Sequence, residues 1–259
     1  MLAGATEIEI TPPIGGMIMG PEAISTGVHD PLMAKALYVD DGQSPWFILS
    51  IDLMALDFAL SDRIRQEITA RTGAKAVILN FTHTHAAPYS APWSVPEFEK
   101  HCELEKDWRE SLVTKIPDLA VAAKAQAESV SLKVGRAPVA IGVHRRVWNG
   151  ELMTMAPNFH GPIIPWVDVL EARTADGKLI GVVFSHAAHP VVVHMTSTEM
   201  GADFPGYAAA ALRDEYGEGI FLFCQACSAN INSYPLATGE KNAEHAGRKL
   251  AAATILAMS

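Results

Sequence analysis

The sequence predicts an α/β protein, a layered domain with mixed, partly antiparallel β-sheets flanked by helices. Two pairs of apolar runs of strand length are each joined by an Asp-Gly turn, at Asp41-Gly42 and Asp176-Gly177, which is typical of antiparallel hairpins. Segments rich in Ala, Glu and Lys alternate with these hairpins, and this alternation favours helices layered on sheets. The chain of 259 residues is 49% hydrophobic and 19% charged, so it can bury a substantial core and is not disordered.

The first strand is expected over residues 5–10, where polar and apolar residues alternate before Thr11-Pro12-Pro13. Residues 14–21 form a loop studded with glycine and proline. Apolar residues in a loop need cover, so this loop is expected to pack over a pocket or the core.

The first hairpin is predicted from residues 32–39 and 46–51, and Asp52 follows its second strand as a lone carboxylate. Ser61 is a plausible N-cap for the next helix, which Gly73 ends. A long helical region is predicted over residues 97–129, interrupted at Pro117.

A strand over residues 132–143 is expected to lead into His144-Arg145-Arg146, before the second hairpin of residues 167–173 and 178–184. The remaining elements are predicted to be a helix, a strand and a helix, over residues 205–216, 220–223 and 240–257. Both halves of the chain repeat the order of hairpin, histidine-bearing strand end and helix, so an internal duplication is a hypothesis. No linker divides them, and residues 1–259 are expected to form a single domain.

Composition excludes several classes of function. The net charge of -9 and the pI near 5.5 argue against nucleic-acid binding, since no basic stripe is present. No signal peptide and no apolar run of 18 residues is visible, and three cysteines make no disulfide framework. A soluble, cytoplasmic protein is therefore expected. Gly-x-Ser-x-Gly and P-loop motifs are lacking, so serine-triad hydrolysis and P-loop nucleotide chemistry fit poorly.

Two pairs of histidines each follow an apolar run of strand length. Residues 76–81 lead to His83 and His85, and the second hairpin leads to His186 and His189. Side chains spaced by two share a face of a strand, although in a tight loop the first pair can diverge, one to a metal and one to a substrate. Neutral imidazole is the commonest zinc ligand. Metal binding is favoured over histidines that merely bond to the backbone, because two such strand ends occur.

Other polar residues give weaker indications. Cys224 and Cys227 match Cys-x-x-Cys, but no second pair accompanies them and core packing is the better interpretation. His194 and Glu199 are secondary candidates, since they follow the second histidine pair. Arg145 suits a carboxylate or an oxyanion, and an ordinary surface arginine is about as consistent with the sequence.

With these residues in view, the chain resembles the neutral/alkaline (non-lysosomal) ceramidase family, in the N-terminal part of its catalytic domain. The most specific segments are Thr82-His83-Thr84-His85-Ala86-Ala87-Pro88 and Ala202-Asp203-Phe204-Pro205-Gly206-Tyr207. The resemblance also runs through Glu9-Ile10-Thr11-Pro12-Pro13, the glycine-rich loop to Gly20, Gly27-Val28-His29-Asp30-Pro31-Leu32, His144-Arg145-Arg146, His189-Pro190 and residues 225–235.

The resemblance implies a zinc (Zn2+) amidase of lipid metabolism that cleaves the N-acyl bond of ceramide. It places zinc ligands at His83 and His189, and makes His85 and Arg145 catalytic pocket residues beside the scissile amide. It further implies that Gly20 and His29 contact the substrate. Zinc would polarise the carbonyl and activate a water, while His85 shuttles protons or binds the oxyanion.

One departure from the family pattern bears on these expectations. The family completes its zinc site with a glutamate and a tyrosine far downstream, and no residue of this sequence matches them. Asp203, Glu199 and His194 are candidate replacements, and a partner chain in a homo-oligomer is another source. A truncated or inactive chain is a further alternative.

The expected function is thus zinc-dependent hydrolysis of a linear amide in a small-molecule or lipid-like substrate, which can be smaller than ceramide because the family's long substrate platform is not matched. A metal-dependent esterase or lactonase is the alternative among enzymes. A non-catalytic, metal-binding ceramidase-like module is the alternative from another class.

Overall fold

The computed structural model describes residues 1–18, 24–88 and 105–259. Within those residues the helices are α1 (Phe58–Thr72), α2 (Lys106–Ala125), α3 (Asp203–Tyr216) and α4 (Glu240–Met258). The strands are β1 (Leu2–Glu9), β2 (Gly27–Val28), β3 (Met33–Asp40), β4 (Trp46–Ile51), β5 (Ala76–Phe81), β6 (Glu128–Pro138), β7 (Gly142–Trp148), β8 (Met153–Asn158), β9 (Trp166–Thr174), β10 (Leu179–His186), β11 (Glu199–Met200), β12 (Ile220–Gln225) and β13 (Ile231–Ser233).

Eight strands form one mixed sheet in the order β12-β10-β9-β6-β1-β3-β4-β5. The pairs β4–β5 and β10–β12 are parallel, and the other pairs are antiparallel. Both predicted hairpins are present, as β3–β4 and β9–β10. The predicted α/β class with mixed, partly antiparallel sheets flanked by helices is confirmed. A smaller sheet of β13, β7 and β8 and a short β2–β11 pair lie beside it.

The sheet folds on itself, so that its two halves face each other. One core cluster lies between the halves and includes Leu37, Val183 and Leu222. A second cluster packs α1 and α2 on β3 and β4, and a third packs α3 and α4 on β9, β10 and β12. Each half therefore has the order strand, hairpin, helix, parallel strand and helix, in four layers of helices, sheet, sheet and helices.

Hydrogen bonds join the two halves at the carboxyl ends of the parallel strands. Asn80 donates from Nδ2 to the Gln225 carbonyl at 3.1 Å and accepts from the Gln225 amide at 2.9 Å. Ser50 donates from Oγ to the Phe223 carbonyl at 2.6 Å. Because β5 and β10 end at this same edge, the loops that carry the two histidine pairs are brought together.

Several predicted element bounds were wrong. The α1 helix is capped by Asp57, whose Oδ1 accepts from the Leu60 amide at 2.9 Å, so Ser61 lies inside the helix. Gly73 does end it, with φ 73°. The α2 helix continues through Pro117, because the buried side chains on either side hold it against the sheet.

The predicted strand over residues 132–143 is two strands, β6 and β7. Arg145 lies inside β7 and not after a strand end as predicted, and β8 was not predicted. Gly20 and residues 97–104 of the predicted long helical region lie outside the described residues. No described helix is long and apolar enough to cross a membrane.

Candidate metal centre

His83 lies in the loop directly after β5, in an unusual backbone conformation. Its amide donates to the Leu53 carbonyl at 3.0 Å, and its Nδ1 lies 2.9 Å from the Met54 carbonyl. Its φ is 67°, a left-handed conformation that costs free energy for a non-glycine residue and clusters at functional sites. A proton on Nδ1 satisfies the Met54 carbonyl, which leaves the Nε2 lone pair available to a ligand.

His189 is held in the same manner by the loop after β12. Its Nδ1 lies 2.9 Å from the Ser228 carbonyl and 3.2 Å from the Ile231 carbonyl. Its own amide donates to the Ile231 carbonyl at 3.0 Å. These contacts also assign the ring proton to Nδ1 and leave Nε2 as the free ligand atom. A second ring nitrogen bonded to a carbonyl is the arrangement that orients metal-ligating histidines.

His83, His85 and His189 converge at one point. The ring centroid of His83 lies 5.0 Å from that of His85 and 4.7 Å from that of His189, and the centroids of His85 and His189 are 5.8 Å apart. One ligand atom from each lies within 4.8 Å of the others. In the described part of the chain, no other group of three or more His, Cys, Asp or Glu residues meets that criterion.

Burial keeps these imidazoles neutral. It lowers the pKa of His85 to about 2 and that of His189 to about 4, and it also lowers the pKa of His83. The positive charge of Arg145 adds to each shift. The Nε2 atom of His85 is buried with no hydrogen-bond partner among the described residues. Three neutral imidazoles, one with an unsatisfied buried nitrogen, are a donor set that suits zinc.

Arg145 reaches this centre from β7. Its Nε donates to the Ala229 carbonyl at 3.0 Å, and its Nη1 donates to Asn232 Oδ1 at 2.9 Å. Asn232 in turn pairs with His189 in an isolated β-bridge. A guanidinium held at one edge offers its remaining N–H groups to an oxygen of a substrate.

The residues proposed as further metal ligands lie outside the three-histidine group. Asp203 is buried, and its carboxylate accepts from the Val193 amide at 2.9 Å and the Phe204 amide at 2.5 Å; burial raises the pKa of this carboxyl to about 7. Glu199 lies in β11 with an exposed side chain. The His194 ring lies edge-on to His85 at 5.3 Å. That any of the three binds the metal stays a prediction.

Three other residues singled out in the sequence, His29, Cys224 and Cys227, lie away from the three imidazoles or in no described contact with them. His29 is 2.9 Å from Asp30 through Nδ1 and 3.4 Å from the Tyr207 hydroxyl through Nε2, and the bond to Asp30 raises its pKa. Among the described contacts none joins it to the three imidazoles, so substrate binding by His29 stays a prediction. Cys224 is buried as expected for core packing, whereas Cys227 is exposed.

Sequence reasoning did not find the carbonyl groups of Met54, Ser228 and Ile231, which orient the two imidazoles. Backbone carbonyls carry no residue-type signal, so only the fold reveals them. Asn232 was not singled out either, although it belongs to the segment 225–235 that carried part of the resemblance.

The chain is similar in structure to two solved ceramidases. One, described as a ceramidase complexed with C2, superimposes with a TM-score of 0.83 at 18% identity, covering 99% of this chain and 43% of that chain. The other, the neutral ceramidase from Pseudomonas aeruginosa, has a TM-score of 0.80 at 19% identity, covering 99% of this chain and 44% of that chain. No family model matches the chain, and no curated protein matches it significantly. Across nearly its whole length, the chain therefore has the fold of neutral ceramidases, of which it spans less than half.

Proposed function

We propose that this chain is a zinc-dependent hydrolase that cleaves a linear, N-acyl amide bond, in the manner of a ceramidase. The observation that supports this best is the convergence of three buried imidazoles, from His83, His85 and His189, within 4.8 Å. The ceramidase fold adds support from an independent direction. We further propose that residues 1–259 form a single catalytic domain and that the protein is cytoplasmic.

His83 and His189 would hold the zinc ion. Both have Nδ1 engaged by a backbone carbonyl, so both present Nε2, and neither needs to change tautomer to bind a metal. Bound there, zinc supplies Lewis acidity and makes water nucleophilic at neutral pH.

The chain's own residues would supply the rest of the chemistry. Arg145 would donate from its guanidinium to the amide carbonyl oxygen and stabilise the negative charge that develops on it. His85, which burial keeps neutral, would bind the oxyanion through a ring N–H group or pass the proton of the attacking water on to the leaving amine. Both side chains are held in place before the substrate arrives: His85 by burial, and Arg145 by Ala229 and Asn232.

The three-histidine geometry also favours a second assignment, in which His85 is the third protein ligand of the metal. Metal stoichiometry separates the two roles. If His85 acts on the substrate and not on the metal, His85→Ala keeps about one zinc per chain and loses turnover. If it is a ligand, the same variant loses zinc affinity as His83→Ala and His189→Ala do.

The central test is the metal content of the purified protein after zinc supplementation. We expect about one zinc per chain in the wild type, on the three-ligand model of a catalytic site, and its loss in His83→Ala and His189→Ala. His160→Ala is the matched control, because its side chain is exposed and lies outside the histidine group. A wild-type protein that takes up no zinc would overturn the proposal.

Substrate class is tested on a panel of N-acyl amides, esters and lactones, with and without chelator. Chelator-sensitive cleavage of amides supports the amidase. Cleavage confined to esters or lactones would favour the alternative metal-dependent esterase, and zinc binding without any turnover would favour a non-catalytic module. Measuring mass in solution with and without zinc then shows whether a homo-oligomer supplies the missing ligands.

A further inference from the structure

A small cavity of about 110 Å³ lies beside Arg145, between β7, β8 and the segment after β13. Its lining is mostly apolar. Val143 and Ser233 are buried there, while Met155, Tyr234 and Leu236 are exposed. The cavity therefore combines a buried, ordered wall with side chains that solvent and ligands can reach.

The backbone ties this cavity to the metal centre. The Ser233 amide donates to the His189 carbonyl at 3.2 Å, and Asn232 holds the Arg145 guanidinium at 2.9 Å. Arg145 and Asn232 both line the cavity. A substrate whose amide lies against Arg145 would thus have one of its two arms next to this space.

Ser233 is a third polar residue in the lining, beside Arg145 and Asn232. The residue is 0% exposed, and its Oγ has no hydrogen-bond partner among the described residues. Unpaired buried hydroxyls cost free energy, so they are rare without a reason. Because the residue has no exposed surface, a bound molecule reaches this hydroxyl only if the side chains around it move.

The size of the cavity limits what it takes. It is smaller than the cavity of about 150 Å³ that binds benzene in a well-studied engineered protein. A short straight or branched alkyl group fills a space of this size, and any further carbons of a longer chain would lie outside it.

We propose that this cavity, which lies against Arg145, is a subsite for a short alkyl group attached to the scissile amide. The inference rests on the proposed amidase function and narrows it, because it assigns the enzyme to amides with one short apolar arm. Met155 and Leu236 then determine how long that arm can be.

Binding can be measured without any catalysis. In protein labelled with 13C in its methionine methyl groups, butanamide is expected to shift the Met155 resonance and leave that of Met153 unchanged. Met153 lies two residues away on β8, is exposed to a similar degree, and does not line the cavity. Absence of any Met155 shift at saturating butanamide and N-butylacetamide would overturn the subsite.

Turnover by the zinc-loaded protein provides a second readout. Two series of amides, with the acyl arm or the amine arm lengthened from two to eight carbons, show which arm enters the cavity. We expect kcat/KM to rise by up to about tenfold per methylene until the cavity is full, and then to level off or fall. Met155→Phe should remove this rise, and Met153→Phe should keep it.

The two readouts separate the subsite from the enzyme activity. A Met155 shift in a protein that cleaves no amide would support the subsite and count against the amidase. Amide cleavage with no Met155 shift, or with a length profile that Met155→Phe leaves unchanged, would refute the subsite and leave the amidase standing.

Discussion

The two halves of the large sheet have the same order of elements but hold their helices in different ways. In the first half, ion pairs cross from α1 to α2, Arg63 to Glu110 at 2.9 Å and Arg71 to Asp118 at 2.6 Å. In the second half, α3 and α4 meet at Gly247, where a Cβ would lie 2.5 Å from Tyr207 Cβ and 2.7 Å from the Phe204 carbonyl oxygen. The same order of elements is therefore compatible with two kinds of helix contact. Long charged side chains bridge α1 and α2, whereas α3 and α4 approach closely because Gly247 has no side chain.

The chemistry at the strand ends differs in a similar way. In the first half His83 and His85, two residues of the candidate metal centre, follow the edge strand β5, and the buried carboxyl of Asp52 comes directly after β4. In the second half His189 follows the inner strand β10, which itself ends at His186. His186 is turned away to the Trp166 carbonyl, 2.8 Å from its Nδ1. Equivalent strand ends in the two halves thus carry different residues, Asp52 after β4 and His186 at the end of β10. What they share is their place at the same edge of the sheet.

The largest effect is expected at the close helix contact. Gly247→Ala should lower the free energy of unfolding by about 1–3 kcal/mol, because the added methyl group meets backbone atoms that cannot move aside cheaply. Urea unfolding measures this, and Lys241→Ala on the exposed side of α4 is the control, expected within about 0.5 kcal/mol of wild type. A Gly247→Ala variant as stable as wild type would show that α3 and α4 pack more loosely than described.

The junction between the halves comes next. Asn80→Ala removes two hydrogen bonds to Gln225 and should cost about 2 kcal/mol, at about 1 kcal/mol for each bond. Gln43→Ala, in the exposed β3–β4 turn, serves as control. If Asn80→Ala unfolds at the same urea concentration as the control, the two hydrogen bonds of Asn80 contribute nothing to the stability of this junction.

Asp52 and His186 end equivalent strands and should respond to pH in opposite directions. Burial raises the pKa of Asp52 from 3.8 to about 6, so the native state favours the protonated acid, and its contribution to stability falls as pH rises from about 4 to about 6. Burial lowers the pKa of His186 below 6.5, so its contribution is lost as pH falls below about 6.5.

The measurement is urea unfolding at several pH values for wild type, Asp52→Asn and His186→Asn. Asparagine keeps an acceptor for the Met33 amide at position 52 and a donor for the Trp166 carbonyl at position 186. Relative to wild type, Asp52→Asn should gain stability as pH rises, whereas His186→Asn should gain it as pH falls. If the stability difference from wild type changed with pH in the same direction for both variants, the predicted opposite behaviour of Asp52 and His186 would be wrong.

The smallest effect is expected at the surface ion pairs of the first half. Arg63→Ala should cost less than about 1 kcal/mol, because Arg63 and Glu110 are each about half exposed and exposed pairs contribute little. The loss should shrink further in 1 M salt. A cost at Arg63 equal to that at Gly247 would mean that the two helix pairs are not held differently after all.

Local sequence determined much of this protein. Alternation of apolar residues and the Asp-Gly turns predicted both hairpins, and Gly73 ended α1 as its freedom to adopt a positive φ requires. Wrong expectations arose where a distant contact outweighs a local preference. Pro117 does not break α2 because Ile116, Leu119 and Ala120 are buried against the sheet, and that burial exceeds the local cost of proline, about 3 kcal/mol.

The candidate site shows the same division. By itself the sequence placed His83, His85 and His189 at strand ends, because a buried strand followed by polar residues is a pattern of adjacent residues. Only the tertiary structure decided that these ends meet, which nitrogen each ring presents, and that His186 turns away. Those outcomes depend on the sheet folding on itself and on the carbonyls of Met54 and Ser228. Contacts between residues far apart in the chain, made through backbone atoms common to all residues, leave no trace in the sequence.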